Sequence, residues 1–201
     1  HDTFCTALTY DTENKPAGIY IVKRELFDSL NPEKPIDMTE DIIPEAVKSG
    51  EAVLLDGKGY YKRITTPEAF LDCQRHMLYN ENMSLKLTEN NFSGAAIGEP
   101  VYIGENVSVM SGSVIESGSV IDNNAVVKGG KVNGYVGIGS VVSERCDINS
   151  AVVCRGAVLD SGVKCGEYSV IGEKAHIASE AVIEKGVGIW SGKNVEKGAR
   201  L

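Results

Sequence analysis

Branched aliphatic residues recur every six positions along the second half of the chain. The series begins Ile97, Ile103, Val109, Ile115, Ile121 and Val127. It slips by two and resumes as Val141, Asp147, Val153, Leu159, Cys165, Ile171, Ile177, Ile183, Ile189, Val195 and Leu201. Sixteen of these seventeen positions are apolar, too many for chance spacing in a Val-rich sheet protein. Four residues after most of them comes a small residue or Val, as at Val101, Val107, Ser113, Ser119, Ala125, Ala157, Ser169 and Ala175. Gly, Asn, Asp and Ser fill the intervening turns, where the backbone needs unusual angles.

A period of six is neither that of a helix nor that of a simple strand. It fits a chain that runs a short strand, turns a corner and repeats, with three hexads closing one triangular coil. The aliphatic points inward on a flat side and the small residue points inward near the corner. The fold class expected is mainly β: a hexapeptide-repeat left-handed parallel β-helix of about six coils over residues 97–201. Coils stack through parallel ladders at ~4.8 Å, and each buried aliphatic contributes roughly 1.5–3 kcal/mol. The slip falls in Lys128–Gly137 and is expected to be an insertion bulging at one corner. Its glycines and two lysines could touch a phosphate, but a tolerated insertion is the plainer reading.

The first half has a different grammar. All six prolines and all four phenylalanines lie at or before Pro100, whereas 17 of 22 glycines lie beyond Gly94. Gly18–Val22 is expected to be a buried strand and Lys23–Leu30 a helix. A second helix starts acidic at Thr39-Glu40-Asp41, with Pro44 forcing a kink or a late start. Ala52–Leu55 and Tyr60–Ile64 are expected strands. Thr66-Pro67-Glu68 is a helix N-terminal signal, and that helix should run to about Tyr79 with Phe70, Leu71, Met77 and Leu78 on one face. The expected organisation is residues 1–80 as part of an α/β domain with further strands elsewhere, 81–96 as a linker, and 97–201 as the β-helix.

Three segments carry a family resemblance. Pro16-Ala17-Gly18-Ile19-Tyr20-Ile21, Glu40-Asp41-Ile42-Ile43-Pro44-Glu45 and Gly59-Tyr60-Tyr61-Lys62-Arg63-Ile64-Thr65-Thr66-Pro67-Glu68-Ala69-Phe70 resemble, in this order, motifs of the sugar-1-phosphate nucleotidyltransferases, such as those making GDP-mannose or dTDP-glucose. A β-helix after the last motif is also a family arrangement. The resemblance implies an α/β remnant of a nucleotidyltransferase domain joined to the β-helix. It implies that Ala17, Gly18 and Tyr20 meet the sugar and that the complete family enzyme uses Mg²⁺. The Gly-rich triphosphate loop and first metal Asp are absent and are expected upstream. The second metal Asp falls on Arg63, which cannot ligate Mg²⁺ but could contact phosphate directly. The motif's Trp and Gly fall on Tyr61 and Thr65. The chain alone is therefore expected to have no catalytic residues, metal site or cofactor, and to be the C-terminal portion of a nucleotide-sugar pyrophosphorylase or of a non-catalytic relative. Its ligand class is a sugar phosphate or nucleotide-sugar.

Acyl transfer from acetyl-CoA is the second enzyme class considered, because hexapeptide β-helices also serve it. It needs a His base at a subunit cleft, and His176 is the one His among the hexads, at an outward position. A carbonic-anhydrase-type Zn site is rejected, since His1, His76 and His176 have no ligand spacing. A third reading is assembly. Val114, Val132, Val152 and Val170 are expected to line up on one outer face as an apolar stripe for self-association, with Cys154 and Trp190 beside it.

The net charge of −8 and pI near 5.0 make nucleic acid or an anionic membrane a poor partner. No apolar run approaches the roughly 20 residues of a membrane span and no signal peptide is visible. Five cysteines without a CxxC pair are expected to be reduced in the cytoplasm.

Overall fold

The computed structural model describes residues 5–9, 16–24, 27, 34–56, 59–80, 85–86, 92 and 94–201. The chain forms two compact units, residues 1–63 and 64–201.

The first unit is built on a three-stranded sheet. β1 (Cys5–Thr9) is central, antiparallel to β2 (Pro16–Val22) and parallel to β3 (Ala52–Asp56). β2 is an edge strand rather than a buried one: Ile19 is 44% and Ile21 is 64% exposed within the chain. Most of the helix expected over residues 23–30 lies outside the described residues. The second helix starts late, as Pro44 requires. A π-helical turn over Met38–Ile42 leads into α1 (Ile43–Lys48), with Pro44 in its first turn. Asp37 caps the turn: its carboxylate accepts from the Thr39 and Glu40 N–H groups at 2.7 and 2.9 Å. Asp41 returns the bond, accepting from the Asp37 N–H at 2.8 Å. The strand expected over 60–64 is not found: that segment belongs to none of the described strands or helices.

The second unit is a parallel β-helix with α2 (Pro67–Asn80) packed on it. Six two-residue strands on the first face, from Ser108–Val109 to Asn194–Val195, count six coils. The second face runs through Ala96–Ile97 and Val114–Ile115 to Val182–Ile183. The third runs from Leu85–Lys86 through Tyr102–Ile103 and Val120–Ile121 to Gly188–Ile189. The first of these strands lies inside the stretch expected to be a linker. Backbone bonds climb the third face coil by coil: Gly104 N–H to Ile121 O at 2.9 Å, Asp122 to Val136 at 2.8 Å, Gly137 to Val153 at 2.8 Å.

The interior is one aliphatic column per face, and it corrects the sequence frame. The inward residues after Val127 are Val132, Val136, Val142, Ile148 and Val153, not Val141 and Asp147. The region of the slip is a contraction rather than an inserted bulge. Ile121 stacks on Val136, 15 residues on, and Val136 on Val153, 17 on, whereas Val153 to Ile171 and Ile171 to Ile189 take the regular 18. The missing residues are turn residues. Strands Lys131–Val136 and Asp147–Val153 run through a corner from the second face to the third without stopping. The tightened corner holds Gly134, at φ +145, where an added Cβ would collide with the Ala151 carbonyl oxygen.

Candidate functional site

α2 is capped by Thr66, whose Oγ1 accepts from the Ala69 N–H at 3.1 Å. Its spacing buries Ala69, Leu71 and Leu78. On the side toward the solenoid, Gln74 Nε2 donates to the carbonyls of Gly118 and Gly134 at 2.7 and 3.2 Å. Arg75 Nη2 donates to Asn133 Oδ1 at 3.3 Å and Ser150 Oγ at 3.0 Å. Phe70 meets the Tyr135 ring edge-to-face at 5.4 Å. Tyr135 donates its hydroxyl to Asp122 Oδ2 at 2.9 Å. Burial, then that bond, push the Tyr135 hydroxyl above the usual tyrosine range.

Where the start of α2 meets the last three coils, a groove of about 990 Å³ opens over the third face. Val152, Val170, Gly188 and Ile189 line it below; Thr65, Thr66, Pro67 and Phe70 form one wall; Arg155, Glu173 and Trp190 lie on the other. Trp190 is 81% exposed.

A second constellation lies on the first face. His176 Nε2 stands 3.0 Å from Asp160 Oδ2, and both side chains reach solvent. His176 pairs in register with Val158, and Asp160 follows two residues on in the coil before. The Asp160 carbonyl accepts from Cys146 Sγ at 3.0 Å, which anchors that turn. A carboxylate on one ring nitrogen orients an imidazole and leaves the other nitrogen to exchange a proton with a substrate.

The expected site residues are dispersed. Gly18 sits on edge strand β2 at φ +78 with open space where a Cβ would stand, so its backbone is accessible. Tyr20 is half-buried on the same strand, and Ala17 lies in it. Arg63 is exposed in the irregular segment before α2, and none of the described hydrogen bonds or ion pairs ties it to β2. Of the expected valine stripe, Val114 is exposed on the second face, whereas Val152 and Val170 lie on the third under the groove. Val132 is fully buried and points inward, because the contraction shifts it by one residue and one residue flips a strand side chain. No cluster of three or more His, Cys, Asp or Glu able to hold a metal occurs among the described residues. None of the helices described is long and apolar enough to cross a membrane.

Asp160 was not anticipated, although its offset from His176 is legible once the coil frame is correct. Gln74 and Arg75 had no local signal, since their partners lie 44 to 75 residues away.

No protein-family model and no curated protein sequence matches the chain. Among solved structures it is similar to a mutant of perosamine N-acetyltransferase from Caulobacter crescentus, solved with CoA and GDP-perosamine. There the identity is 22%, the TM-score 0.36, and the match covers 80% of this chain and 69% of that one. It is similar to the acetyltransferase domain of PglB from Neisseria gonorrhoeae at 20% identity and TM-score 0.28, over 75% of this chain and 83% of that one. It is also similar to a UDP-N-acetylglucosamine acyltransferase from Campylobacter jejuni at 16% identity and TM-score 0.27, over 55% and 68%. Likeness at this level carries no conclusion about activity.

Proposed function

We propose that the chain handles nucleotide-linked sugars as a non-catalytic portion of a nucleotidyltransferase-like protein, with the β-helix as its assembly module. The observation that carries this reading is the order of three motif segments and where they fold. The first is strand β2 with its open Gly18 backbone, the second the Asp37-capped turn and α1, and the third the Thr66-capped helix joined to a hexapeptide solenoid. Arg63, at the metal-carboxylate position of the resemblance, offers a cation for phosphate instead of a ligand for Mg²⁺. The test is saturation-transfer NMR with GDP-mannose, UDP-glucose and dTDP-glucose in the presence of a chelator. Weak transfer to the sugar protons that falls in Arg63→Ala is expected. No transfer from any of the three contradicts the reading.

A second reading, acyl transfer from coenzyme A, is favoured by one specific observation: the solvent-facing His176–Asp160 pair. Among the described residues it is the contact best suited to acid–base work on an acceptor amine or hydroxyl. Release of free thiol from acetyl-CoA with an amino-sugar acceptor, abolished in His176→Ala and reduced in Asp160→Asn, would establish it in place of the first.

A further inference from the structure

Trp190 is the most exposed of the large apolar side chains described, at 81%. It lines an apolar groove that the described residues of the second unit leave unfilled. Along the outer third face the ladder carries Tyr135, Val152 and Val170, and then Gly188. A Cβ at Gly188 would meet nothing within 4 Å, so the ladder ends in an open slot next to the indole. At the corner above, Arg155 and Glu173 occupy successive coils, and among the described residues neither forms an ion pair or hydrogen bond through its side chain.

We propose that this groove is a self-association surface, with two copies of the chain packing about a two-fold axis so that Trp190 of each fills the slot over Gly188 of the other. A two-fold interface must be self-complementary. A patch with an aromatic knob, an apolar slot and one charge of each sign meets that requirement: Arg155 of one copy faces Glu173 of the other, twice. The same charges argue against a phosphate-bearing ligand, whose anion would lie against the Glu173 carboxylate. Exposed Trp beside an apolar pocket, ringed by polar groups, is also the composition of a binding hot spot. The inference does not rest on the nucleotide-sugar reading.

Trp190 is the single tryptophan of the chain, so its fluorescence reports directly on the slot. Sedimentation velocity and emission are measured together on the whole chain from about 1 µM to about 100 µM, the range of weak to moderate affinities. A doubling of mass with a parallel blue shift is expected. Trp190→Ala and Gly188→Arg should stay monomeric with unchanged circular dichroism. Arg155→Glu or Glu173→Arg alone should weaken association about tenfold or more, and the two together should restore it. A monomer throughout, a dimer that survives Trp190→Ala, or a blue shift produced by GTP but not by concentration would each overturn the proposal.

Discussion

The Phe70 ring meets Tyr135 edge-on, with centroids 5.4 Å apart and planes at 89°. This contact joins the first turn of α2 to the contracted strand of the solenoid, beside the Gln74 and Arg75 hydrogen bonds. Such a pair contributes about 0.5–1.5 kcal/mol beyond its buried area. Phe70→Ala should therefore speed amide exchange across residues 67–80 while leaving the coils protected. Tyr135→Phe keeps the ring contact, loses only the bond to Asp122, and should have the smaller effect.

Two inward serines sit in equivalent small-residue positions with opposite accounts. Ser119 Oγ donates to Val132 O at 3.2 Å and accepts from the Gly134 N–H at 3.3 Å. Ser169 Oγ is buried and has no hydrogen-bond partner among the described residues. Removing a partner from a buried amide costs about 1–3 kcal/mol, so Ser119→Ala should lower the midpoint of urea unfolding. Ser169→Ala should leave it unchanged or raise it.

Gly134, buried at the tightened corner, and Gly188, exposed on the third face, should differ as sharply. Gly134→Ala drives a methyl into the Ala151 carbonyl at a positive φ and should cost more than about 3 kcal/mol by thermal unfolding. Gly188→Ala adds the methyl to open space at an ordinary strand angle and should cost nothing measurable.

Burial pushes the Cys165 thiol far above its ordinary range. In the folded chain it keeps its proton at a pH where the unfolded chain has lost it. The thiol's favourable contribution is thus complete below about pH 8.5 and declines by up to about 1.4 kcal/mol per pH unit above it. Cys146, raised chiefly by burial, adds in the same direction. The melting temperature should fall between pH 7.5 and 9.5, and Cys165→Ala should flatten that fall. Equal slopes in the two proteins would contradict the assignment.

The solenoid was legible because its signal is local and repeated: one aliphatic per six residues needs no knowledge of partners. The frame failed where the chain stops turning. Lys131–Val136 and Asp147–Val153 pass a corner as continuous strands, so a fixed period of six selects Val141 and Asp147 in place of Val142 and Ile148. Val141 and Val142 are indistinguishable by composition, but a carboxylate in an inward slot at Asp147 was a warning of misregister. That error put Val132 on the outside. The helix signal at Thr66-Pro67 gave the position of α2, but not its seat on the third face, which depends on Gln74 and Arg75 reaching backbone and side chains far along the chain. β1, the central strand of the first unit, went unread because Cys5–Thr9 has neither a long apolar run nor a turn signal of its own. The groove combines residues from 64 to 191 and has no sequence signature at all.

The claim on which the functional account rests is that this chain, with Arg63 at the metal-carboxylate position of the resemblance and without the Gly-rich triphosphate loop, does not transfer nucleotidyl groups. Isotope exchange between labelled pyrophosphate and GDP-mannose, UDP-glucose or dTDP-glucose, run with the whole chain and saturating Mg²⁺, tests it most directly. The account predicts no labelled nucleoside triphosphate. Mg²⁺-dependent exchange with any of the three would contradict it.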